Sequence, residues 1–145
     1  MDLTAYNEPI HPSYESIEIG QTADYKRTIT QDDVIKFAEL NGDYNPVHID
    51  ERYAQTTVFK GRIAQGFLSA AFISTAIASK LPGPGSIYLK QDLVFKFPVR
   101  IGDTITAKVE VIGKEDRTKR ITLKTTCTNQ KGIVVIDGQA VVTIA

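Results

Sequence analysis

The sequence predicts an α+β domain in which a curved antiparallel sheet wraps around one buried helix. Three observations carry this. The stretch from Gly66 to Lys80 is apolar or small nearly all round, the mark of an enclosed helix rather than a surface one. Beyond Gly85 the hydrophobic period becomes two and stays so to the end of the chain. One further extended stretch lies early, near residues 24–29. A helix followed by a run of strands makes an antiparallel sheet against a helix, not alternating βαβ units.

Taken in order, residues 1–15 carry Pro9 and Pro12 without periodicity and read as a surface arm; residues 16–145 form a single domain. After the early strand, Thr30-Gln31-Asp32-Asp33 has the form of a helix cap with an acid three residues on. Val34, Ile35, Phe37, Ala38 and Asn41 follow at helical spacing, and Gly42 is a natural stop. From Gly42 to Arg62 the pattern is irregular, except that Asp50 can cap a short turn through Glu51, Arg52 and Tyr53. The buried helix then runs from Gly66 to Lys80, and Leu81-Pro82-Gly83-Pro84-Gly85 ends it.

Residues 87–97 are rich in aromatic and β-branched side chains and read as one strand ending at Pro98. Three alternating strands follow. Ile105, Ala107, Val109 and Val111 share a face, as do Ile121, Leu123, Thr125 and Cys127. Val134, Ile136, Gly138, Ala140, Val142 and Ile144 form the last one. Turn residues separate them at Gly102-Asp103, Glu115-Asp116-Arg117 and Asn129-Gln130-Lys131-Gly132.

Composition narrows the function. A chain of 145 residues, 42% hydrophobic and 23% charged, is globular. At this size it buries about two-thirds of its unfolded surface and needs no staples. Seventeen basic and seventeen acidic residues give no net charge, which argues against binding nucleic acid by phosphate neutralisation. The lone Cys127 excludes an internal disulfide framework and a multi-cysteine metal site. With only His11 and His48, no three-histidine zinc site fits in one chain. The first twenty residues lack the charged and apolar regions of a signal peptide. The longest apolar stretch, Phe67 to Leu81, is broken by Ser69, Ser74, Thr75, Ser79 and Lys80 and falls short of the ~20 apolar residues that span a bilayer. The expected location is the cytoplasm, with neither nucleic acid nor membrane as a partner.

The densest polar cluster is Asn41-Gly42-Asp43-Tyr44-Asn45-Pro46-Val47-His48-Ile49-Asp50. Pro46 restrains its own φ and biases Asn45 toward extended geometry, so the segment is a defined turn. Asp43 and His48 stand five residues apart, a spacing that lets a turn bring carboxylate and imidazole together. Such a pair moves protons near neutral pH. The same residue types also build plain loops.

The run Gly42 to Asp50 resembles the hydratase motif of MaoC-like dehydratases, members of the hot-dog superfamily. Within them the chain is similar to the short, single-domain (R)-specific enoyl-CoA hydratases. The likeness continues through Thr56-Thr57-Val58-Phe59, Ile63-Ala64-Gln65-Gly66, residues 81–89 and residues 95–103, and covers roughly residues 16–145. The resemblance implies a hot-dog fold and reversible syn hydration of a trans-2-enoyl-CoA to an (R)-3-hydroxyacyl-CoA. It implies Asp43 and His48 as the catalytic pair that activates water, with Asn45 supporting the site. Gly66 matches the glycine whose N–H binds the thioester oxygen, and Ser74 matches a serine near the acyl pocket. It implies no cofactor, CoA being part of the substrate. The family commonly has His where this chain has Gln65, and Gln cannot titrate.

Elementary chemistry fits these roles. Hydration of an enoyl thioester builds negative charge on the carbonyl oxygen. A helix start offers free N–H groups and partial positive charge, and at Gly66 no Cβ obstructs a ligand. Ser74 could equally bond back within its own helix. The phosphates of CoA call for cations, with Lys60, Arg62, Lys90, Lys96 and Arg100 as candidates, and the acyl tail is expected along the buried helix near Phe67 and Phe72. Alternatives on the same fold are an acyl-CoA thioesterase and a non-catalytic acyl-CoA-binding subunit. A sheet with open edges also suggests a homodimer or a dimer of dimers.

Overall fold

A computed structural model describes residues 12–145; His11 and most of the expected arm lie outside the described residues. The helices capped by Thr30 and Asp50 fall where those caps place them. α1 spans Gln31–Asn41, with Thr30 and Asp33 bonded reciprocally across its first turn and Gly42 left-handed at its end. α2 (Pro46–Ile49) is a single turn with Pro at its first position and Asn45 as cap. α3 (Glu51–Gln55) is capped by Asp50, whose side chain accepts from Tyr53 N–H. α4 (Gly66–Ser79) is the enclosed helix.

The strands are β1 (Thr22–Thr28), β2 (Ser86–Gln91), β3 (Val94–Phe95), β4 (Thr104–Glu115), β5 (Arg120–Thr128) and β6 (Val134–Ile144). They form one antiparallel sheet among the described residues, ordered β1-β4-β5-β6-β2, with β3 also paired to β6. The alternation in β4 and β5 is realised: Ile105, Ala107, Val109, Val111, Ile121, Leu123, Thr125 and Cys127 are all buried. They enclose Phe72, Ile73, Ala76 and Ile77 of α4 in one core. This is the expected α+β, hot-dog arrangement, with α4 packed on β1, β4 and β5.

Two expectations change. Residues 87–97 are two strands, not one. The break lies at Asp92-Leu93, where Gly138 of β6 lets Asp92 come so close that a Cβ would sit 2.0 Å from the Asp92 carbonyl oxygen. The near end of the arm also packs as structure. Tyr14 is buried in a 3-10 turn (Tyr14–Ser16), and its hydroxyl donates to Asp116 at 2.7 Å. The ammonium groups of Lys114 and Lys119 lie 4.1 and 4.8 Å from its ring centre. A tyrosine buries its ring and keeps a polar handle, so this segment docks on the β4–β5 hairpin.

Candidate active site

The segment between α1 and α3 is braced by its own side chains. Asn41 Oδ1 accepts from Asp43 N–H at 2.9 Å, Asp43 Oδ1 from Asn45 N–H at 3.1 Å, and Asn45 Oδ1 from Val47 N–H at 3.3 Å. Each bond spans two residues, so the polar cluster is a chain of Asx turns. Asn45 thus serves as the cap of α2. Asp43 spends one carboxylate oxygen on the turn and keeps the other free.

That second oxygen, Oδ2, lies 3.8 Å from His48 Nε2. The gap is too long for a direct hydrogen bond and suits one water touching both groups. His48 is buried, whereas the Asp43 side chain is 44% exposed. The other ring nitrogen, Nδ1, stands 2.8 Å from the Ile63 carbonyl oxygen. A carbonyl only accepts, so Nδ1 carries a hydrogen, and in the neutral ring Nε2 is the bare nitrogen facing Asp43. Two backbone bonds hold Ile63 and Ala64 in place: Ile63 N–H to Val47 O at 3.2 Å, and Ala64 N–H to Val99 O at 2.7 Å.

Gly66 opens α4, and no side chain caps that helix. Its free N–H end borders the same space. A Cβ at Gly66 would sit 2.6 Å from the Phe95 ring, so glycine is required by packing as well as by access. Two adjoining cavities share His48, Gly66 and Phe95. One, about 330 Å³, is lined mostly by apolar groups including Ile63, Phe97 and Val99. The other, about 310 Å³, contains Asn41, Asp43 and Gln65. The structure therefore brings Asp43, His48 and Gly66 to one place, with Asn45 bracing the loop beneath them.

Ser74 is not brought there. It is exposed, because five residues along a helix turn a side chain about 140° from Ser69. Ser69, on the inward face, borders the apolar cavity instead. Phe67 stands 64% exposed at the rim of the second cavity, its ring 5.5 Å from that of Phe95, while Phe72 belongs to the core. Two of the five candidate cations serve the fold. Arg62 donates to His48 O at 2.7 Å and to Gln31, and Arg100 donates to the carbonyls of Phe59 and Gly61. Lys96 lines the mouth of the apolar cavity, 3.7 Å from Asp137. Sequence reasoning missed Phe95, which covers Gly66 from a short strand; only the Gly138 inside a strand pattern signalled the kink that places it.

The chain matches the MaoC like domain family over residues 15–132. It is 53% identical over 131 residues to an (R)-specific enoyl-CoA hydratase of Rhodospirillum rubrum, covering 90% of each chain. The fold superposes on the R-hydratase of Pseudomonas aeruginosa with a TM-score of 0.87 at 46% identity, covering 92% of this chain and 86% of that one. It superposes equally, TM-score 0.87, on the (R)-hydratase of Aeromonas caviae involved in PHA biosynthesis. There the identity is 40%, over 90% of this chain and 99% of the other.

Proposed function

The chain belongs to the MaoC-like domain family, and from that premise we propose that it is an (R)-specific enoyl-CoA hydratase. It adds water across a trans-2-enoyl-CoA, reversibly and with syn geometry, to give an (R)-3-hydroxyacyl-CoA. The enzyme is a hydro-lyase. The observation that carries this reading is the 3.8 Å approach of Asp43 to His48 Nε2 beside an uncapped helix start at Gly66.

A water between the two groups gives its proton to the pair as its oxygen bonds to C3 of the substrate. The pair delivers a proton to C2 on the same face, so atoms and charge balance over the step. The electron density pushed toward the thioester carbonyl is received by the N–H of Gly66. One well-aimed donor of this kind is worth ~3 kcal/mol to the transition state. Both proton-transfer groups come from the chain, so the reaction calls for no cofactor; CoA is part of the substrate. Lys60, Lys90 and Lys96 are the cations available to its phosphates.

The active form is a homodimer. β2 lies at the open edge of the sheet, and β3 continues that flank. Ile87, Leu89, Val94, Phe95 and nearby Phe67 expose apolar surface there, and such an edge calls for a partner. No helix among the described residues is long and apolar enough to cross a membrane, and the cytoplasm is the location we assign.

The test is turnover of crotonyl-CoA, followed as loss of the enoyl-thioester absorbance, with the product's configuration assigned. An (R)-3-hydroxy product supports the reading. Inert enoyl-CoA together with thiol release from butyryl-CoA would replace it with a thioesterase.

A further inference from the structure

His48 stands on α2, a single turn of four residues. One turn has too few internal bonds to hold its own direction, and its last carbonyls find no partner within it. The grip on His48 comes instead from two consecutive residues of a later segment. The Arg62 side chain donates from Nε to the His48 main-chain carbonyl at 2.7 Å. The next residue, Ile63, accepts from His48 Nδ1–H at 2.8 Å and donates its own N–H to the Val47 carbonyl at 3.2 Å. Arg62 thus holds the main chain of His48 while its neighbour holds the ring.

Arg62 is anchored in turn on the helices around it. Its main-chain N–H donates to Glu51 Oε2 of α3 at 3.2 Å, and Nη1 donates to Gln31 Oε1 of α1 at 3.2 Å. Nη2 is buried and meets no acceptor among the described residues, so the bonds to His48 and Gln31 are what place the fork. A planar guanidinium keeps its donors at fixed angles, which makes it a rigid spacer between the start of α1 and α2. The loop carrying Asp43 runs between those two helices. We propose that Arg62 is a positioning residue for the hydration: by holding the His48 carbonyl it keeps Nδ1 on Ile63 and the bare Nε2 facing Asp43. The inference rests on the hydratase reading. Without that hold α2 turns and the imidazole leaves the Ile63 carbonyl. A ring so freed populates both tautomers, one of which presents N–H instead of a bare nitrogen to Asp43. Misplacing a reacting group by about 1 Å costs ~10²-fold in rate.

The test compares Arg62→Met, which keeps an apolar stem but no donor, with Arg62→Lys, whose single ammonium reaches the His48 carbonyl or Gln31 but not both. Two readouts are taken on the full chain. Long-range proton–nitrogen NMR, recorded above the ordinary histidine range, reads the tautomer of each neutral imidazole. The chain has two histidines, and His48→Ala identifies which signal belongs to His48. The wild type should show His48 as the Nδ1–H form. Arg62→Met should show a mixture of tautomers and a ten-fold or greater fall in kcat on crotonyl-CoA, with KM within three-fold because Gly66 and the apolar cavity are untouched. Arg62→Lys should lie between, and it carries the same comparison if circular dichroism shows Arg62→Met unfolded. A wild-type His48 in the Nε2–H form overturns the proposal whatever the variants do. So does a folded Arg62→Met with kcat within three-fold of wild type, or one whose His48 stays wholly Nδ1–H. A raised KM at unchanged kcat also overturns it and makes Arg62 a cation for the CoA phosphates. A wild-type chain inert toward every enoyl-CoA tested would instead overturn the hydratase reading, while the NMR spectra still decide what holds His48.

Discussion

His48 Nδ1 lies 2.8 Å from the carbonyl oxygen of Ile63, and this one contact decides which ring nitrogen faces Asp43. It orients the imidazole and assigns the hydrogen. With Nδ1–H occupied, Nε2 is the bare nitrogen that faces Asp43 Oδ2, 3.8 Å away.

The first prediction concerns that pair. Asp43→Asn and His48→Ala should each lower kcat for crotonyl-CoA hydration by roughly 10²–10⁴-fold, the range for a lost acid–base group. Asp43→Asn keeps a side-chain oxygen for the Asx turn to Asn45, so circular dichroism and the thermal midpoint should stay near wild type. Near-normal turnover in either variant would remove the pair from the mechanism.

At Gly66 packing and chemistry coincide. In Gly66→Ala the added Cβ meets the Phe95 ring at 2.6 Å, so the ring or the helix start must shift. Overpacking of this kind costs about 1–3 kcal/mol. Chemical denaturation should show that loss, and kcat should fall with it. Pairing the change with Phe95→Ala removes the clash. Stability lost to Gly66→Ala should then be smaller in the Phe95→Ala background, a non-additivity that a denaturant titration of all four proteins reads directly.

Acid stability should depend on Asp33. The Arg27 guanidinium, bonded to it at 2.6 and 3.2 Å, holds its carboxyl below the usual carboxylate range, with the Thr30 backbone N–H assisting and partial burial opposing. A carboxyl depressed in the folded state contributes stability above its unfolded pKa, and that contribution fades as pH falls through the folded value. Asp33→Asn should therefore be less stable than wild type at neutral pH. The difference should shrink on acidification below about pH 4, the ordinary carboxylate value. Equal separation at pH 7 and pH 2 in urea melts would contradict this.

Cys127 offers a reporter of folding. It is buried in β5, and burial pushes its thiol up to about 12. The thiolate is the reactive form, so iodoacetamide should leave the native protein unlabelled at pH 8 and label it in denaturant. Mass spectrometry showing rapid labelling without denaturant would contradict the enclosed position.

Much of this was legible in the sequence because it is local. Thr30, Gly42, Asp50 and Pro46 act within one or two turns of themselves, and the predicted helices follow their caps. The alternation of residues 105–111 and 121–127 needs only a sheet with one dry face. The split at Asp92 was not legible, because it depends on how closely β6 approaches at Gly138, a position far along the chain. Ser74 shows the same limit. The family resemblance placed it near the acyl pocket, while the helical period and the packing of α4 put it on the exposed face of the chain and Ser69 inside.

By itself, then, the sequence determined the caps, the strand periods and the motif that sets Asp43 and His48 five residues apart. Tertiary structure decided everything that joins distant segments. Ile63 orients His48, Phe95 covers Gly66, Val34 takes the amide of Gln65, and the β4–β5 hairpin receives Tyr14. The physical reason is one of range. Caps and periods are settled by bonds and sterics within a few residues, whereas these pairings exist only once sheet and helix have closed on a shared core.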